Sequence, residues 1–145
     1  MPGTEPAHPS PVGSSSAAIS NLTVRLLSQY TGRGPTKART FFNDDMVTVV
    51  LQDTLTKAET TLVDKDRREL VLLTRVTFQE VMGDDLIAGI EAITGRAVTA
   101  FLSANHIDPD VAVETFILAP TQPALADPAQ TRGAAGFQAV RTARA

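Results

Sequence analysis

The sequence predicts an α+β domain, a two-layer sandwich with helices on one face of a four-stranded antiparallel sheet. Three observations predict it. Two segments with helical apolar spacing, near 17–31 and 67–93, each stop at a glycine. Each is followed by two short runs of strand-like alternation. Each pair of runs is split by a turn rich in Asn and Asp. The chain therefore reads as two helix–hairpin units, and two hairpins can join into one sheet whose apolar side the helices bury.

The first helix rests on Ile19, Leu22, Leu26 and Tyr30, which recur on one face, and Gly32 ends it. Pro35 disfavours helical geometry at Gly34, so Arg33-Gly34-Pro35-Thr36 is a loop. Strands follow over 37–42 and 46–52, joined by the turn Asn43-Asp44-Asp45. Thr56 and Glu59 have capping-box spacing, which starts a short helix running to about Val63. In the long helix, Phe78, Met82, Leu86, Ile90 and Ile93 form a stripe that should face the sheet. Gly83 and Gly89 lie within it and mark a close packing contact or a break. Residues 96–104 and 111–118 are the last two strands, with Asn105 to Asp110 as their turn.

Thr31-Gly32-Arg33 and Thr94-Gly95-Arg96 occupy equivalent places in the two units, which points to an internal duplication. Val50, Phe101 and Phe116 exceed what one helical layer can shelter, so the second face of the sheet is expected to be covered by another copy, making a homodimer. The Pro-, Gly-, Ser- and Ala-rich residues 1–16 and 119–145 read as disordered tails around a domain at 17–118.

Composition narrows the function. The chain has no cysteine, which removes disulfides, thiol catalysis and Cys-ligated zinc. Residues 19–118 hold 10 basic and 14 acidic side chains, an unsuitable balance for nucleic acid or an anionic membrane surface. No apolar run approaches the roughly 20 residues of a membrane span, and no secretory signal is evident. A soluble cytoplasmic protein with no membrane insertion is expected.

Three groups of residues are candidate sites. Arg33, Gly34, Thr36, Lys37 and Arg39 concentrate positive charge, backbone freedom and a hydroxyl in an otherwise acidic domain. That combination suits a phosphate or carboxylate ligand, although the P-loop pattern is missing and a polar loop explains the same residues. Asn105, His106, Asp108 and Asp110 place an imidazole beside two carboxylates, a possible second site, but the spacing fits a turn better and no metal is predicted. The pairs Asp44-Asp45 and Asp84-Asp85 fit a turn and a solvated helix face. No Gly-x-Ser-x-Gly setting exists for a nucleophile. The residues thus call for no cofactor and no catalysis.

The stretches LLSQYTGRGPTKARTFF, VVLQDTLTKAETTLV, TFQEVM and TGRAVTAFLSANHIDPDVAVETFIL occur in this order across 19–118. Together they resemble the MpsC-like family, a bacterial domain family named after the third subunit of a sodium-translocating, membrane-potential-generating system. The resemblance implies a non-enzymatic accessory or regulatory component beside a membrane complex that handles cations or bicarbonate. It brings no catalytic residues. The alternatives are a small-anion or nucleotide sensor built on the Arg33 to Arg39 loop and, behind it, a metal-dependent enzyme using His106, Asp108 and Asp110.

Overall fold

The computed structural model describes residues 11–121; of the expected tails at 1–16 and 119–145, residues 1–10 and 122–145 lie outside the described residues. The element order is α1 (Pro11–Thr31), β1 (Lys37–Asn43), β2 (Met46–Gln52), α2 (Lys57–Asp64), α3 (Arg68–Thr94), β3 (Val98–His106) and β4 (Val111–Leu118). The four strands form one antiparallel sheet in the order β1-β2-β4-β3, so the expected α+β architecture is present.

Two boundaries differ from expectation. Helix α1 begins six residues early, at Pro11, so Gly13 and Ser14 to Ser16 are helical and do not belong to a tail. Proline suits a first helical position because its missing N–H has no partner there in any helix. Asn105 and His106 are the last residues of β3, which leaves only 107–110 for the turn.

Local chemistry explains most element ends. Gly32 and Gly95 adopt positive φ, +80° and +67°, and end α1 and α3. The capping box of α2 is complete: Glu59 N donates to Thr56 Oγ1 at 3.2 Å and Thr56 N to Glu59 Oε1 at 2.9 Å.

The two units follow the same plan. Leu118 N donates to the Asp45 carbonyl and Asp53 N donates to the Asp110 carbonyl, so the two bonds are related by a shift of 65 residues. The same shift relates Val49 to Glu114, and these two are direct partners across β2 and β4. A pseudo-two-fold axis therefore passes through the centre of the sheet. The loops obey it too, since the Thr31 hydroxyl donates to the Leu27 and Arg33 carbonyls and the Thr94 hydroxyl to the Ile90 and Arg96 carbonyls.

Three rows of side chains cross the covered face. They are Phe42–Val47–Phe116–Phe101, Thr40–Val49–Glu114–Ser103 and Ala38–Leu51–Ala112–Asn105. Ile19, Leu22 and Leu26 of α1 and Met82, Leu86 and Ile90 of α3 pack over them. Helix α3 is continuous. A side chain at Gly89 would strike Leu22 of α1, so this glycine sets the approach of the two helices, whereas Gly83 faces the Phe101 ring in ordinary contact.

Phe101 and Phe116 thus lie on the covered face, stacked with centroids 4.9 Å apart, and not on the second face. In β4 both alternating sets are apolar, and Glu114 belongs to the inward one. A charged residue normally marks the solvent side, which made that set look outward. The open face is apolar nonetheless, through Val50, Val113, Ile117 and the exposed Phe41, Met46 and Leu102.

Candidate functional site

The row Ala38–Leu51–Ala112–Asn105 places short or polar side chains where the opposite row carries three phenylalanines. The end of α1, α2 and the first half of α3 surround that end of the sheet. A cavity of about 300 Å³ remains. That volume is at the lower end of the range of small-molecule sites, about 300–1,000 Å³. Leu27, Leu51, Leu62, Val71, Phe78 and Met82 give it an apolar wall.

Its polar end is a continuous network. Gln79 Nε2 donates to Glu114 Oε1 at 3.1 Å and to Asn105 Oδ1 at 3.2 Å, and Asn105 Nδ2 donates back to Gln79 Oε1 at 3.0 Å. The Ser103 hydroxyl donates to Glu114 Oε2. Arg75 bonds Glu59 through Nε at 2.8 Å and Nη2 at 3.1 Å, and its Nη1 reaches Thr54 Oγ1 and Asn105 Oδ1. Gln79 and Glu114 are buried, at 8% and 1% exposure.

The two carboxylates of this network titrate in opposite senses. Burial pushes Glu114 up to about 7, against the pull of Ser103, Gln79 and the Arg75 charge. Burial also acts to raise Glu59, but its hydrogen bonds from Arg75 and Thr56, with the Arg75 charge, overcome it and hold Glu59 below its ordinary value. At the cavity rim, Tyr30 donates to Asp85 at 2.5 Å, and that bond raises the phenol above its ordinary value.

The residues singled out from sequence are spread over different surroundings. Arg33 lines the cavity and spans to the next loop, pairing with the Asp53 carboxylate at 2.7 Å and donating to the Asp53 and Leu55 carbonyls. Gly34 lies against Ser28 and Val24 of α1. Thr36 N donates to the Gln52 carbonyl and so begins the β1–β2 ladder. Lys37 and Arg39 are exposed on the open face of β1, where the Arg39 guanidinium lies 5.5 Å from the Phe41 ring centroid. The three cations do not converge on one point.

In the second group, Asn105 joins the cavity network. Asp110 accepts from Thr54 Oγ1 and Leu55 N and pins the β2–α2 loop. His106 Nδ1 donates to the Pro109 carbonyl within the turn, and Asp108 is exposed. Among the described residues no three His, Asp or Glu side chains form a metal-binding group. Asp45 of the first acid pair binds Arg96, which also holds the Ala119 carbonyl. Glu114, Gln79 and Arg75 were missed from sequence. The available signal was Glu114 standing among Ala112, Phe116 and Leu118 at period two.

The fold and cavity define a two-layer α+β domain with a buried polar network at one side of its sheet. Among the described residues no helix is long and apolar enough to cross a membrane. Residues 12–120 match the family model described as Na+-translocating membrane potential-generating system (MpsC), and the chain belongs to that family. No curated protein and no solved structure matches the chain.

Proposed function

We propose that this domain is a non-catalytic accessory subunit that self-associates and docks on a membrane cation-translocating assembly from the cytoplasmic side. The family description supplies the assembly. The observation that carries the docking is the first half of α3. There Leu70, Leu73, Val76 and Val81 are 48%, 64%, 48% and 59% exposed, although Val71 and Met82 of the same helix are buried. Apolar side chains exposed together along one stretch of helix mark an interaction surface, so this stretch lacks a cover.

The open sheet face supports self-association. Its central row is Phe41–Thr48–Thr115–Leu102, with Phe41 50% and Leu102 56% exposed. Stacking two such faces about a two-fold axis would bury apolar and threonine side chains without stranding a charge at the centre.

The anion-sensor alternative retains one point in its favour, since Arg33 lines the cavity. Arg33 is already paired with Asp53, however, and Lys37 and Arg39 are on the other side of the sheet.

Sizing with light scattering and membrane co-sedimentation test the two surfaces together. Wild type is expected to be a dimer that sediments with native membranes. Leu102→Glu should be a monomer, and Leu73→Glu a dimer that stays in the supernatant. A monomeric wild type that ignores membranes contradicts the reading.

A further inference from the structure

We propose that the cavity between α2, α3 and the sheet binds a small apolar amine, with its hydrocarbon body against the apolar wall and its ammonium group on Glu114. This site is independent of what covers α3 or the open sheet face.

The argument starts from charge. The other ionised groups lining the cavity have partners of their own: Arg33 pairs with Asp53 at 2.7 Å and Arg75 with Glu59 at 2.8 Å. Glu114 is 1% exposed and takes part in no ion pair among the described residues. It has only the neutral donors Gln79 and Ser103, one on each oxygen. Each carboxylate oxygen keeps a second acceptor position. The Arg75 charge acts on Glu114 from a distance but is committed to Glu59, so a cation brought by the ligand would supply the direct ion pair that this buried carboxylate lacks.

An anionic ligand fits poorly. Four hydrogen bonds already engage the Arg75 guanidinium, which has five N–H groups, so no two-pronged clamp remains. The carboxylate of Glu114 would also face the incoming anion.

The shape points the same way. Leu51, Leu62, Val71 and Phe78 give the cavity an apolar wall opposite the Glu114 network, and the cations nearest it, Arg33 and Arg75, are already paired. A compact body with a single polar head uses both parts, and a nucleotide or a sugar would leave its polar groups against the apolar wall.

Three isosteric probes test it: 2-phenylethylamine, 2-phenylethanol and phenylacetate, each titrated by calorimetry into the full chain. The amine should bind at least about tenfold tighter than the other two, as charge-assisted hydrogen bonding predicts. Glu114→Gln should abolish that preference. Ala58→Phe, on the exposed α2 wall of the cavity, should remove amine binding with no loss of folding. The proposal is overturned if the alcohol or the acid binds as well as the amine, or if no probe binds at millimolar concentration. It is overturned equally if the preference for the amine survives in a folded Glu114→Gln variant, or amine binding survives in a folded Ala58→Phe variant.

Discussion

The two ends of the covered sheet face are related by the internal pseudo-symmetry and have opposite fillings. At one end Phe42, Val47, Phe116 and Phe101 form a closed aromatic row beneath α1 and the second half of α3. At the other, Ala38, Leu51, Ala112 and Asn105 leave room for a cavity of about 300 Å³. Between them the central pair is Val49 opposite Glu114. The same frame thus serves a dry core in one direction and a polar pocket in the other. A duplicated unit tolerates this because each strand row needs only its own helices to fill it. Stability belongs to the first end, and binding chemistry to the second.

Truncation at the closed end should have the largest effect. Phe116→Ala removes a fully buried ring that stacks on Phe101, and should destabilise the domain by about 3–5 kcal/mol in denaturant melts. Enlargement should separate the ends in the reverse sense. Val47→Phe overfills the closed end and should cost about 1–3 kcal/mol, whereas Ala112→Leu grows into the cavity and should cost less than about 1 kcal/mol.

The pH dependence sharpens the comparison further. Glu114 has a folded-state pKa of about 7 against an ordinary 4.5, so the folded protein binds the extra proton between these values. Stability should therefore fall as pH rises from 4.5 through 7, by about 3 kcal/mol in all, and level off above. Glu59 is shifted downward, so its contribution is present above 4.5 and is lost only in more acid solution, outside this window. Glu114→Gln should flatten the slope between pH 4.5 and 7 and exceed wild type in stability at pH 8. A parallel pH profile for the variant would place the titrating group elsewhere.

Two glycines of α3 give effects of opposite sign. A methyl at Gly89 meets Leu22 Cδ2 at 2.3 Å, so Gly89→Ala should lose about 1–3 kcal/mol through forced repacking. At Gly83 the nearest atoms are Phe101 ring carbons at 3.6 Å, so Gly83→Ala should gain up to about 1 kcal/mol from helix propensity.

Much of the fold was legible in sequence because it depends on local chemistry. Gly32 and Gly95 stop helices, Thr56 and Glu59 start one, and the α3 stripe through Met82, Leu86 and Ile90 is buried as its spacing predicts. The start of α1 was hidden because Gly13 and three serines have the composition of a tail. The facing of Phe101 and Phe116 was hidden by Glu114, whose charge disguised an inward row. The site was illegible for a different reason. Thr54, Glu59, Arg75, Gln79, Ser103, Asn105 and Glu114 come from five separate segments, and no spacing rule joins them before the sheet order is known. The basic segment at 33–39 was conspicuous in sequence, yet the β1 pleat sends Lys37 and Arg39 to the opposite side of the sheet from the cavity that Arg33 lines.

The accessory-subunit reading is tested most directly by purifying the full chain from detergent-solubilised native membranes and identifying what accompanies it by mass spectrometry. The account predicts a polytopic cation-translocating subunit in stoichiometric amount with wild type, and its loss with the still-dimeric Leu73→Glu. Recovery of the chain with no membrane subunit, or undiminished recovery of that subunit with Leu73→Glu, would contradict it.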